Sequence, residues 1–363
     1  MRIGIIGTRG IPNYHGGFEQ FAEFFSVFLA ERGHDVYVYN SSNHPYKDRY
    51  FKGVNIITCS DPENRIGTAG QFVYDFNCIL DSRKRNFDII LQLGYTSSSV
   101  WSRLFPKSSV VITNMDGLEW RRSKYSEKVR RFLKYAEKLA VKFSDFLVAD
   151  SIGIQNYIKR TYNLDSKFIA YGANVFLNPN MDILEKYNVK AFSYNLLIAR
   201  FEPENNLETI LDGVAGASKA ETFLVIGKHD TNDFGRYLKE KFKNLRNIRF
   251  IGGVYNLEHL NNLRYFSNLY FHGHSVGGTN PSLLEAMASN TLIVAHDNEF
   301  NKSVIGSDGF FFNNSEEIKK ILNEVRKENH HKKVENALET INNNYNWELI
   351  NKSYLDFFNE CLY

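Results

Sequence analysis

The chain has 363 residues, 43% of them hydrophobic and 15% aromatic, which is long for one core, so two domains are expected. A net charge of only +3 does not call for nucleic acid, and no stretch approaches the ~18 apolar residues of a membrane span. Three widely spaced cysteines, Cys59, Cys78 and Cys361, form neither a zinc spacing nor a disulfide framework, which suits a reducing cytoplasm.

The first residues, Met1 to Gly7, read as a buried strand rather than a signal peptide. A loop rich in glycine follows, Gly7-Thr8-Arg9-Gly10-Ile11-Pro12-Asn13-Tyr14-His15-Gly16-Gly17-Phe18-Glu19. Phe21, Phe24, Phe25, Phe28 and Leu29 then share one helical face, and Gly33 ends that helix. Further strands are expected at His34 to Tyr39, Val54 to Thr58, Phe87 to Gln92, Val110 to Thr113 and Phe146 to Ala149, with helices between most of them. Alternation of this kind predicts an α/β fold with a doubly wound parallel sheet. The Gly/Asn/Pro-bearing stretch from Ile169 to Asn180 interrupts it and is the candidate linker. The alternation then restarts, with strands expected at Tyr194 to Ala199, Thr222 to Ile226, Ile248 to Ile251, Asn268 to His272, Leu292 to Ala295 and Phe310 to Phe312. The expected division is a domain over 1–175, a second over 176–345, and an amphipathic tail helix over 346–363 that returns to the first domain. In open sheets ligands sit at the carboxyl ends of strands, so a ligand between two such domains would touch loops of both.

The stretch from Phe271 to Ala288 reads as strand, glycine-bearing loop and helix. Gly277 and Gly278 permit close backbone approach, Thr279 or Asn280 suits a cap, and Pro281 suits the first turn. Such a helix start is a natural anion site, here for a diphosphate; the plain alternative is an ordinary βα connection. The glycine-rich start has a rival reading as a dinucleotide fingerprint. Its spacing, Gly4-x-x-Gly7-x-x-Gly10, and the end of the second strand at Tyr39-Asn40, with no acid, disfavour that reading. A nicotinamide-dependent oxidoreductase remains the enzyme alternative. Between Trp120 and Lys142 stand nine basic residues, among them Arg121, Arg122, Lys124, Lys128 and Arg131, and two acids. Interleaved aromatics make this stretch amphipathic, either an interfacial helix for anionic lipid or a solvated basic face. No Asp-x-Asp and no His/Cys ligand spacing occur, so neither a metal nor another cofactor is expected.

With these loops laid out, the chain resembles a two-domain GT-B glycosyltransferase of family 4, and within it the rhamnosyltransferases of bacterial cell-wall and capsular polysaccharides. Four matches carry the resemblance: Gly7 to Pro12 with Gly16 to Glu19; Asn114-Met115-Asp116-Gly117-Leu118-Glu119-Trp120; Ala199-Arg200-Phe201-Glu202-Pro203-Glu204-Asn205-Asn206; and His272 to Ala288. The family pattern has two glutamates eight positions apart; Glu285 matches the second and Gly277 falls on the first. It also has an arginine and, five positions on, a lysine; Arg200 matches, and Asn205 stands in the lysine's place.

The resemblance implies a retaining transfer, with L-rhamnose from a dTDP- or UDP-linked donor moved to a hydroxyl of a lipid-linked saccharide. The enzyme would sit on the cytoplasmic face of the plasma membrane, peripherally. Arg200 would neutralise the leaving diphosphate, and the Gly277 to Asn280 amides would stand in for the missing groups. Glu285 would take a ribose hydroxyl, Tyr255 would stack on the base, and His272 and His274 would hydrogen-bond phosphate or sugar. Asp116 would hold the acceptor hydroxyl, with Glu19 touching the acceptor or orienting Gly16 and Gly17. The departures at Gly277 and Asn205 motivate one further alternative, a non-catalytic sugar-nucleotide-binding protein on the same fold.

Overall fold

The computed structural model describes residues 1–122, 124–219 and 221–362; Tyr363, the end of the expected tail, lies outside them. The chain forms two compact units. The first comprises Met1–Arg121, Tyr125–Tyr171 and the chain from Trp347 onward; the second comprises Arg122, Lys124 and Gly172–Asn346.

The first unit is built on strands β1 (Arg2–Ile6), β2 (Asp35–Ser41), β3 (Tyr50–Phe51), β4 (Val54–Cys59), β5 (Ile89–Leu93), β6 (Val110–Asn114), β7 (Phe146–Ala149) and β8 (Lys167–Phe168). Their order across the sheet is β3-β4-β2-β1-β5-β6-β7-β8, and every pair is parallel except β3 with β4. The fully buried run Ile89–Leu93 shows why the inner strands are continuously apolar: both faces are covered. The two strands that the alternation does not predict, β3 and β8, are two-residue edge strands too short to leave a periodic signal.

The second unit carries β9 (Tyr194–Ile198), β10 (Thr222–Ile226), β11 (Ile248–Gly252), β12 (Tyr270–His272), β13 (Ile293–His296) and β14 (Phe310–Phe312). Their order is β11-β10-β9-β12-β13-β14, all parallel. Helices here start on asparagines whose side chains accept a backbone N–H: Asn180, Asn232, Asn256, Asn280, Asn298 and Asn314. Each cap satisfies a donor that the helix itself leaves orphaned.

In both sheets the chain reverses its winding once. The reversal lies between β1 and β5 in the first and between β9 and β12 in the second. Diverging connections leave a crevice at the carboxyl ends of such strands.

The last helix, Trp347–Leu362, belongs to the first unit. Trp347 stacks on Phe24 at 4.6 Å and 11°, which accounts for the aromatic face of the first helix, Gly17–Glu31. Tyr354 receives a 2.8 Å hydrogen bond from Asn114 Nδ2, tying this helix to the end of β6. Phe358 is fully buried against Phe25, with ring centroids 5.4 Å apart. Phe358→Ala is expected to cost about 3–5 kcal/mol by opening a cavity there, readable as a lower urea midpoint at unchanged slope.

Candidate functional site

The second unit gathers chemistry at its reversal between β9 and β12. The turn after β9 carries Arg200, an exposed residue, and is closed from within: Asn205 Nδ2 donates to the Arg200 carbonyl at 2.8 Å. Asn205 is itself buried, so its amide shapes the turn that presents Arg200 and is not a second group held out toward a ligand.

The neighbouring loop after β12 is laced to this turn. Ser275 donates its N–H and its hydroxyl to the Glu204 carbonyl, at 3.0 and 2.8 Å, and Asn206 Nδ2 donates to the Gly273 carbonyl at 2.8 Å. A Cβ on Gly273 would stand 1.9 Å from the Asn205 carbonyl oxygen. Only glycine lets the two backbones pass. On its other side the loop is held by Asn298 and Asn301, both donating to the His274 carbonyl at 3.0 Å.

Beyond this anchor, Gly277 adopts φ +132° with no atom within 4 Å of a would-be Cβ, so its glycine serves backbone conformation and open space. Asn280 is the N-cap, its Oδ1 accepting from Ser282 N–H at 3.0 Å, and Pro281 opens the helix Pro281–Ala288. Thr279 is buried just before it, while Gly278 is half-buried.

Glu285 stands in the second turn of that helix. Its Oε2 accepts from Arg264, which is almost wholly buried, at 2.6 Å. One carboxylate oxygen is thus already held by a cation. Arg264 is a residue that sequence reasoning missed; the available signal was a lone arginine closing the helix Leu257–Tyr265 just before a buried strand.

His272 and His274 stack at 4.3 Å and 14°. Neither His272 nitrogen, nor Nδ1 of His274, has a hydrogen-bond partner among the described residues. Burial, then His274 and Arg264, hold His272 well below the usual histidine range; burial, then Arg200 and Arg122, push His274 down to about 3. Both rings are neutral near pH 7. Tyr255 is 72% exposed, folded over Gly253, with Lys228 Nζ 5.4 Å from its ring centre.

The first unit has its own cavity, of about 410 Å³, at the reversal between β1 and β5. Gly7, Thr8 and Arg9 follow β1, Leu93 to Ser98 end and follow β5, and Asp116 and Glu119 follow β6. Asp116 adopts φ +48° and its N–H donates to Asn114 Oδ1 at 2.9 Å, so the Asx turn here belongs to Asn114 and not to Asp116. Glu19 is buried and accepts from Arg9 N–H at 2.8 Å. It holds the Arg9 loop, while Gly16 caps the first helix and Gly17 begins it. Asn40, at the place where a dinucleotide fold carries its ribose acid, instead clamps Ile11: Oδ1 accepts its N–H at 3.0 Å and Nδ2 donates to its carbonyl at 2.8 Å. Sequence reasoning also missed Asp75 in this cavity, although an acid within Phe72-Val73-Tyr74-Asp75-Phe76 was a usable signal. Burial raises its carboxyl to about 6, and Ser97 Oγ donates to it at 2.5 Å.

The basic stretch is less open than its composition suggests. Arg122 and Lys124 are paired with Glu204 and Glu202 at 3.8 and 3.7 Å. Arg121 lies over the Trp120 ring at 5.2 Å, and Arg131 pairs with Glu127. Lys128 is exposed on the helix Glu127–Phe143, whose inner face carries Leu133, Ala136, Glu137, Ala140 and Val141. Glu137 is fully buried and receives Trp120 Nε1 at 2.8 Å, Lys134 Nζ at 2.7 Å, Tyr157 hydroxyl at 2.7 Å and the Tyr162 hydroxyl. Among the described residues no helix is long and apolar enough to cross a membrane, and no group of three His, Cys, Asp or Glu is placed to hold a metal ion.

Two stability tests follow from this geometry. Gly273→Ala should lower the unfolding free energy by more than the ~1 kcal/mol of an ordinary helix glycine change, because its Cβ meets a backbone oxygen; chemical denaturation measures it. The two histidines have folded pKa values below the ordinary 6.5, so the unfolded chain takes up protons first. Their contribution is complete above about pH 6.5 and is lost as pH falls from there toward 3. Thermal melts of His274→Asn should show a shallower decline across that interval than the parent chain.

Residues 1–174 match a domain of unknown function, and residues 185–347 match Glycosyl transferases group 1. An uncharacterized glycosyltransferase of Methanocaldococcus jannaschii is 24% identical, with 96% of each chain covered. Among solved structures, sucrose-phosphate synthase from Thermosynechococcus elongatus aligns with TM-score 0.81 at 16% identity over 99% of this chain and 98% of its own. Anabaena HepE in complex with UDP and glucose aligns with TM-score 0.74 at 15% identity, covering 99% of both. Together with the two parallel sheets and their reversal-point loops, these matches give the chain the GT-B fold, with residues 185–347 similar to Glycosyl transferases group 1.

Proposed function

We propose that the chain moves a sugar, most specifically L-rhamnose from dTDP-β-L-rhamnose, to a hydroxyl of a lipid-linked saccharide in bacterial surface polysaccharide synthesis. The observation that carries the reading is the loop pair at the β9/β12 reversal. There a guanidinium, a run of backbone N–H groups and a capped helix start are fixed in one place by the Glu204–Ser275 and Asn206–Gly273 hydrogen bonds. A UDP complex of a similarly folded protein supports it.

Arg200 neutralises charge that develops on the departing diphosphate, and the amides of Gly277 to Asn280 add fixed donors at the helix start. Glu285, steadied by Arg264, accepts from a ribose hydroxyl. The exposed Tyr255 ring offers a stacking face to the base. His272 and His274, neutral and carrying unsatisfied nitrogens, accept from or donate to the sugar. In the first unit Asp116 holds the acceptor hydroxyl, and Glu19 keeps the Arg9 loop in shape. Transfer with retention lets the leaving phosphate take the acceptor proton while the sugar bears positive charge. No cation enters this scheme, because Arg200 and the amides meet the diphosphate charge. Membrane attachment is peripheral, on the cytoplasmic face, with Lys128 and Arg131 toward anionic lipid.

A thermal-shift series with dTDP, UDP and NAD tests the core of the reading. A nucleoside diphosphate should raise the melting temperature and NAD should not; the reverse result overturns it. Arg200→Ala should then reduce sugar transfer by about 10²–10³-fold, as removal of one transition-state donor does elsewhere. Proton NMR of the product anomer checks retention, and flotation with phosphatidylglycerol vesicles checks membrane attachment.

A further inference from the structure

The three cysteines stand far apart in the sequence, and the fold brings two of them together. Cys59 ends β4, and Cys78 lies in the helix Ala69–Ser82, which packs against that strand. The helix is pinned there on both sides of Cys78. Tyr74, four residues before it, donates its hydroxyl to the Tyr39 carbonyl at 2.9 Å. Asp81, three residues after it, accepts from the Tyr39 hydroxyl at 2.9 Å. These spacings put Tyr74, Cys78 and Asp81 on one helical face. In the sheet Tyr39 pairs with Ile57, so Cys59, two residues on, points to the same side as Tyr39. Beside the two cysteines, Asn77 Nδ2 donates to the Ser60 carbonyl at 3.0 Å. Both thiols accordingly end in one buried cluster with Ile6, Tyr39, Tyr74 and Phe87. Cys361 is elsewhere, half-buried in the last helix.

We propose that Cys59 and Cys78 form a redox-modification site, in which a hydroperoxide joins them as an intramolecular disulfide that staples the helix Ala69–Ser82 to β4, and thiol reductants release it. Cys59 is the sulfur that meets the oxidant, since it keeps 8% of its surface open and Cys78 keeps none. A hydrogen bond from the Cys78 thiol holds the Cys59 thiol below its ordinary range, against the effect of burial, while burial raises that of Cys78. The Cys59 thiolate attacks one peroxide oxygen, and the O–O bond breaks to leave a sulfenic acid. The hydroxide released takes up the proton that the thiol gave up. The Cys78 sulfur then attacks the Cys59 sulfur, the S–O bond breaks, and the Cys78 proton leaves with the second hydroxide as water. One peroxide is reduced to two waters as the two thiols are oxidised to the disulfide. The stapled helix carries Gln71, Phe72, Tyr74 and Asp75 into the cavity of the first unit, so the bond stiffens one wall of that cavity.

The test treats the reduced full chain with hydrogen peroxide, alkylates the remaining thiols and maps them by mass spectrometry. The tryptic peptides 53–65 and 66–83, which hold Cys59 and Cys78, should appear joined and two hydrogen masses lighter than their sum. Dithiothreitol should separate them again. Because the bond closes a loop of the unfolded chain, the oxidised protein should show a higher urea midpoint than the reduced one. Cys59→Ser should abolish the cross-link, and Cys361→Ser should leave it intact. Should Cys59→Ser fail to fold, the peptide map of the parent chain still decides. Recovery of Cys59 as a sulfinic acid beside a free Cys78 overturns the proposal. So does a cross-link through Cys361, two free thiols after prolonged exposure, or a cross-link that lowers the midpoint.

Discussion

The contact on which the second unit's chemistry depends is a backbone crossing. Gly273 passes the Asn205 carbonyl where a methyl group would stand 1.9 Å away. This lets two loops from different strands share hydrogen bonds and act as one rigid piece. Arg200 rides on one of them and the Gly277 to Asn280 turn on the other. A donor cradle made of amides acts only if its geometry is settled before the ligand arrives, since reorganising it would consume the interaction it offers. Here the settling is done by neutral groups, Asn205, Asn206, Asn298 and Asn301, which leave the net positive character of Arg200 intact.

Much of the architecture was legible because it rests on local regularities. Apolar strands alternating with amphipathic helices dictate parallel sheets, and the observed strands fall close to the expected ones throughout. The C-terminal helix was legible from its aromatic face, and Trp347 on Phe24 shows what that face was for. The two edge strands β3 and β8 were not, because two residues carry no period. In the site the boundary between legible and illegible is equally physical. The Asn280–Pro281 helix start could be read from capping rules. The partners of Glu285, Arg122 and Lys124 could not, because each is set by a residue distant in sequence. Sequence spacing told which residues stand near a strand end, and tertiary contact decided which way they are spent.

The two units place their charge differently. Around β9 and β12 the cations are exposed or steady a single carboxylate, and the histidines are kept neutral. Around β1 and β5 the guanidinium of Arg9 is held between Asp61 and Glu63. A chain whose overall charge is only +3 thus contains two chemically distinct environments, and the bulk value conceals both. The crowded basic stretch after Trp120 has the same lesson, since part of its charge is turned inward onto Glu137 and onto Glu202 and Glu204.

The asparagine caps have a slower consequence. An asparagine turns spontaneously into aspartate when the next residue's backbone nitrogen attacks its side chain, and over a protein's lifetime this adds negative charge. A helix start tolerates the aspartate that forms, for aspartate caps as well as asparagine does, but not the isoaspartate formed beside it, whose main chain runs through the former side chain. Asn314 precedes Ser315 and is open to that chemistry; Asn280 precedes Pro281, whose nitrogen carries no hydrogen and cannot close the ring. The one cap beside the amide turn therefore keeps its neutral amide as the molecule ages.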